Sequence, residues 1–379
     1  TFCLRVKRVK NRLAERTYMS QHEGIAEEGE LFQTHIGGSA LTEGVMMRGK
    51  LSWAVAVREP NGSIYVEEHE IPGAADGSRA KAWYRRVPIV RGCVSFAESM
   101  ILSFKAMSIA ADHAYDENGL SWADKCKETV YIEEASADKG DVAPADIPSD
   151  EGMSESAGML LSIILGVVLG IGLFVALPVA VSNLLIGPYE ANNAIAWNLV
   201  EAVVRIVLLV AYVAAIGLMP DMARVFGYHG AEHQSIHCFE HGLPLTPDNA
   251  ARFSRLHVRC GTAFLVMTIA IAIVVNTLVP VAAIADALGL TGIVRTLFVF
   301  LSRVVMLPLV AGVSYEITVK WAGSHPENLL VRIVLWPGLQ MQRLTTRVPD
   351  PGMLECAIAA LRKVRDTEEA AGLSVPPAL

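Results

Sequence analysis

Four stretches of this chain are each long and apolar enough to cross a lipid bilayer as a helix, and no other feature restricts the fold as strongly. They are residues 157–186, 194–219, 262–285 and 293–319. A hydrocarbon core about 30 Å thick needs about 20 helical residues, and each stretch exceeds that. Buried helices of a large soluble protein imitate one such run, but hardly four in succession. The expected architecture is an α-helical polytopic membrane protein with about four transmembrane helices, the lipid bilayer as its partner, and a small cytoplasmic α+β domain. Charge follows the same division. Only 19% of the 379 residues are charged, against roughly 25% in ordinary soluble domains, and the deficit falls between residues 157 and 320.

The flanks are soluble in character. Residues 1–33 read as a polar tail whose basic start, TFCLRVKRVKNR, has no apolar stretch after it, so no cleavable signal peptide is expected. Residues 34–112 read as a cytoplasmic α+β region. There WAVAVREPNGSIYVEEHEI makes two strands around Pro60-Asn61-Gly62, because Asn-Gly supplies the positive φ angles of a tight turn. Residues 89–112 make a helix too short and polar for a span, hence an interfacial or core helix. Residues 113–156 read as an acidic flexible linker; between 116 and 155 twelve Asp or Glu face three Lys. The membrane domain is 157–320, with a cytoplasmic connection at 220–261, and 321–379 form a cytoplasmic C-terminal region. Six scattered cysteines without CxxC spacing fit a reducing compartment better than a disulfide framework. No nucleic-acid-binding surface is evident.

Basic residues orient the spans. Arg224, Arg252, Arg255 and Arg259 lie on the connection 220–261, and Lys320, Arg332, Arg343 and Arg347 follow the last span. The other two connections, GPYEANN and the stretch around ADALGLTG, carry no Lys or Arg before Arg295. Both termini and the connection 220–261 are therefore expected in the cytoplasm of a bacterial cell, beneath its cytoplasmic membrane. Gly166 and Gly170 form a GxxxG in the first span, a common and weak signal for helix contact.

The chemistry-bearing segment is GYHGAEHQSIHCFEH, residues 227–241. His229, His233, His237 and His241 recur every four residues and so stack along one helix face. His229-Gly-Ala-Glu232-His233 matches the H-x-x-E-H pattern, in which two imidazoles one turn apart grip a metal and the carboxylate activates water. Just before the third span, His257-Val-Arg-Cys260 is a second pair of ligand-type residues. Four ligands, His229, His233, His257 and Cys260, would make a closed structural site; fewer would leave the open position that catalysis needs. A hydrogen-bonded polar cluster is the alternative to any metal. His237 and Glu316 are additional candidates, Glu316 also fitting simple solvation at the interface. Within the spans, Glu201, Arg205 and Arg303 are charges that should face partners rather than lipid.

Four segments in order carry a resemblance: GGSALTEGVMMRG at 37–49, YHGAEH at 228–233, HVRCGTAFL at 257–265 and WPGLQMQRLTTRVPD at 336–350. Together they resemble the YqhQ-like bacterial membrane proteins, a domain of unknown function, from about residue 36 to 362 without the acidic linker. Members typically show GGQAVIEGVMMR and HPRCGT, so Ser39, Thr42 and Val258 depart from the pattern without removing a ligand. The resemblance implies membership among proteins catalogued as predicted metal-dependent enzymes and carries over no established reaction. The expected function is thus a metal-dependent membrane enzyme, hydrolytic in type, in which His229 and His233 hold zinc or another divalent metal, His257 or Cys260 completes the site and Glu232 is general base. The alternatives are a non-enzymatic assembly or stability factor fastened by a structural metal or polar cluster, and, with less support, a transporter using Glu201, Arg205 and Arg303.

Overall fold

The computed structural model describes residues 32–116, 118–126, 155–190, 192–257, 260–279, 281–318 and 328–373. The tail up to residue 31, the acidic stretch 127–154, and Val258, Arg259 and Lys320 lie outside the described residues.

Four antiparallel strands form a meander in the order β1 (Gly37–Leu41), β2 (Gly44–Arg48), β3 (Ser52–Arg58) and β4 (Ile64–Glu70). The Asn61-Gly62 hairpin joins β3 and β4, with Gly62 at φ 89° and Arg58 opposite Ile64. The β1–β2 pair is closer: Leu41 faces Gly44, and Thr42-Glu43 makes the turn. Glu43 takes φ 52°, a left-handed conformation that non-glycine residues seldom adopt. What holds it is its buried carboxylate, which receives the guanidinium of Arg224 on two oxygens, one at 2.6 Å, and the Tyr228 hydroxyl at 3.3 Å.

The sheet is covered on both faces, so β2 and β3 are buried almost throughout and lack a polar alternation. On one side helix α1 (Val90–Ala114) sets Ala106, Ala110 and Ala114 against Trp53, Val55 and Val57. The remaining helices follow. A helix α2 (Glu155–Ile171) passes through a π-helical turn, Gly172–Ala176, into α3 (Leu177–Ile186). Then come α4 (Ala194–Ile216), α5 (Pro220–Glu240), α6 (Gly261–Leu278), α7 (Val281–Ala287), α8 (Gly292–Tyr315), α9 (Leu329–Thr345) and α10 (Pro351–Ala370). Helix α10 starts sharply because Asp350 accepts the Met353 amide at 2.9 Å and Pro351 fits the first turn. With α5 it packs on the second face of the sheet: Tyr228, Ala231 and Phe239 meet Met353, Ala357 and Leu361 over Val45, Met47 and Ala56.

Among the described residues, four helices are long and apolar enough to cross a membrane: Val90–Ala114, Ile164–Ile186, Ala194–Ile216 and Gly292–Thr318. Three of these fall on stretches singled out from the sequence; the stretch 262–285 appears as α6 followed by α7. The remaining one, α1, has a divided surface. Its alanines carry the sheet, while Ile101 and Phe104 are exposed. Its N-terminal end crosses α8 where Gly92 and Gly312 let the backbones touch. Gly166 and Gly170 meet no neighbour among the described residues.

Glu201, at 2% exposure, bridges two cations: Arg303 at 2.6 Å and Arg205, one turn along α4, at 2.5 Å. Arg303 also bonds Asn198 at 2.8 Å and lies over the Trp197 ring, 4.8 Å from its centre. Arg205 reaches the Phe174 carbonyl at 3.0 Å, inside the π-turn, where the backbone has left the ordinary helical ladder. Every charge in this cluster has a partner, so removing one strands another. Arg303→Ala should destabilise detergent-solubilised protein by about 3–5 kcal/mol, whereas replacing the whole cluster, Arg303→Met with Glu201→Met and Arg205→Met, should restore most of the loss. Thermal unfolding of the three proteins checks this; equal unfolding of single variant and wild type would contradict it.

Candidate metal centre

Helix α5 carries the histidine ladder. It opens with Pro220 and Asp221, a favoured start that places a carboxylate at the positive helix end. From Gly230 to Ser235 it is buried without interruption, although four of those six residues are polar. Gly230 permits this: a side chain there would strike the Arg347 carbonyl, which follows α9.

His229, His233 and Cys260 each offer one ligand atom, and these atoms lie within 4.8 Å of one another. His229 Nε2 is 3.1 Å from Cys260 Sγ. The outer nitrogens of both rings meet backbone carbonyls: His229 Nδ1 that of Thr345 at 2.8 Å, and His233 Nδ1 that of Arg255 at 2.5 Å. A carbonyl only accepts, so each Nδ1 carries the proton and each Nε2 presents its lone pair. That is the outer-shell arrangement usual for metal-binding imidazoles. His233 Nε2 is buried and, among the described residues, has no partner in hydrogen-bonding geometry. Burial also holds the His233 pKa below its ordinary value, which keeps it a neutral donor. Two nitrogens and a thiol suit zinc in type and number, and the set leaves a position open.

Glu232 adjoins this group. Burial pushes its carboxyl up to about 8, opposed by His229 and by a hydrogen bond from the Gly38 backbone. Its Oε2 is buried and has no hydrogen-bond partner among the described residues. The glycine pair that starts β1 explains the close approach: a side chain at Gly38 would stand 2.9 Å from Glu232 Cγ.

His257 does not complete this triad. It stands with His237 and Glu240, whose ligand atoms likewise lie within 4.8 Å of one another. The Cys260 amide donates to the His257 carbonyl at 3.4 Å, yet the two side chains join different donor groups along α5. His257 and His233 remain neighbours, with ring centres 5.6 Å apart. His241 caps α5 and bonds the His237 carbonyl at 2.7 Å. Glu316 belongs to neither group: it pairs with Arg91 at the start of α1. Glu201, Arg205 and Arg303 form the separate cluster between α4 and α8.

Several contributors carry no mark in the sequence. Gln342 grips the backbone of His257, accepting its N–H at 2.8 Å and donating to its carbonyl at 2.7 Å. Thr345 and Arg255 act through their carbonyls, which no side-chain pattern reveals. Glu240 had a signal, its i, i+3 spacing from His237.

The family described as "Protein of unknown function (DUF1385)" matches residues 87–367, a span that includes α5, Cys260 and α9. The uncharacterized protein YqhQ of Bacillus subtilis (strain 168) is 28% identical over 329 residues, covering 86% of this chain and 91% of that protein. No solved structure matches. With its histidine ladder and its WPGLQ helix inside the matched region, the chain belongs to the YqhQ-like DUF1385 family of proteins of unknown function.

Proposed function

We propose that this is a multi-pass protein of the bacterial cytoplasmic membrane with a metal-dependent, hydrolytic site at its cytoplasmic face. The observation that carries the reading is the convergence of His229, His233 and Cys260, with both imidazoles held by backbone carbonyls and lone pairs directed inward. A divalent cation there, zinc by donor type, would supply Lewis acidity toward a carbonyl or phosphoryl group. Glu232, beside His233 on α5 and with one oxygen unengaged among the described residues, would accept the proton of the attacking water in its ionised form, which burial displaces toward higher pH. The β1 strand at Gly38 closes off one side of that carboxylate from solvent. Half-buried His229 and Cys260 form the accessible side, where substrate would enter.

One observation favours a second reading, a structural site in an assembly or stability factor. The carbonyls that orient the imidazoles belong to the end of α9 and to the segment before α6, so the same bonds fasten both to α5, which packs on the sheet. Two variants separate these readings. Glu232→Gln should keep the metal in detergent-purified protein and lower function about 10²–10⁴-fold, read as rescue of a strain lacking the gene; His233→Ala should lose both. Full rescue by Glu232→Gln, with His233→Ala unstable, would select the structural reading. Absence of metal from the wild type would remove both.

The orientation rests on the placement of Lys and Arg. A cysteine introduced at Asn192 should react with an impermeant thiol reagent added outside intact cells, and one at Asn249 should not. The opposite labelling would overturn the topology.

A further inference from the structure

The donors left over from the first triad form a group with the same construction. His237 and Glu240 project from one turn of α5, and His257 comes in from the segment before α6. The His237 and His257 ring centres are 4.7 Å apart. His257 and Glu240 are both buried, at 4% and 0% exposure.

Each donor is oriented from outside. His237 Nε2 meets the Leu256 carbonyl at 3.0 Å, which fixes the orientation of the ring. Glu240 Oε1 accepts the Thr34 amide at 2.8 Å, which turns Oε2 toward His257. Gln342 holds the His257 backbone on both sides. The gap that remains is informative. His257 Nε2 and Glu240 Oε2 are 3.5 Å apart. That is long for an N–H···O bond, which centres near about 2.9–3.0 Å. It is close to the edge of a tetrahedral site: ligands bound at about 2.0–2.2 Å stand about 3.4 Å apart.

We infer that His237, Glu240 and His257 form a second divalent-cation site, separate from the His229–His233–Cys260 triad and farther along the same helix. Its donors are two imidazoles and a carboxylate. Without a thiolate it selects a harder first-row ion than its neighbour, of the ferrous, manganous or cobaltous kind. The inference stands on its own donors and does not require the first site to be catalytic.

Cobalt distinguishes the two sites, because only the site containing Cys260 gives a thiolate-to-cobalt absorption band. Full-length, detergent-purified protein stripped of metal and reloaded with cobalt(II) should bind about two equivalents per chain. Glu240→Gln and His237→Ala should each bind about one and keep the band, and Cys260→Ser should bind about one without it. A wild type that binds one equivalent, lost with Cys260→Ser and unchanged in Glu240→Gln, overturns the second site alone. One equivalent without the band, lost in Glu240→Gln, overturns the first site alone. No bound cobalt overturns both. The wild-type count together with the band decides the matter even if a variant fails to fold.

Discussion

Imidazoles buried on a single helix need partners from every side, and this requirement organises the protein. Each unsatisfied buried polar group costs about 1–3 kcal/mol. Helix α5 meets that demand with backbone carbonyls from two directions: Thr345 at the end of α9, and Arg255 and Leu256 in the segment before α6. A carbonyl in such a bond fixes both the ring's orientation and its tautomer, so the contacts that make burial tolerable also leave the other ring nitrogen as a ligand. The segments following α5 and preceding α10 are thus tied to the histidine ladder.

The sheet is tied to the same helix by different means. Glu43 stands in a left-handed turn and is held there by Arg224 and Tyr228, both on α5. Such strain of about 1–3 kcal/mol persists only where surrounding contacts over-determine it. The turn brings β1 across α5 so that Gly38 abuts Glu232. The GGSALTEGVMMRG and WPGLQMQRLTTRVPD segments, nearly 300 residues apart, therefore serve one helix from opposite sides. Glu43 sets the sheet against it, Thr345 orients His229 of the first donor group, and Gln342 holds His257 of the second.

Much of this arrangement could be read from the residues because its signals are local. The Asn61-Gly62 turn, the four-residue spacing of the histidines and the long apolar runs each state a backbone geometry directly. The β1–β2 hairpin was harder. IGGSALTEGVMMRGK has no alternation, because β2 is covered on both faces, and its turn uses Glu43 where a glycine would have been recognised. Division of the donors into two groups was also hidden. His257 and Cys260 are spaced like a helical pair, but both precede α6 and their side chains join different donor groups. Glu240 is marked only by its i, i+3 spacing from His237, and nothing in the sequence marks Gln342. Their roles depend on chain segments distant in sequence, which no local pattern reports.

The central claim is that His229, His233 and Cys260 bind one cation with a position left open beside Glu232. Anomalous diffraction at the zinc edge, from crystals of the full chain grown with zinc, tests it most directly. The expected result is a peak about 2.0–2.1 Å from both Nε2 atoms and about 2.3 Å from the sulfur. A zinc-loaded crystal with no peak among these three residues would contradict it.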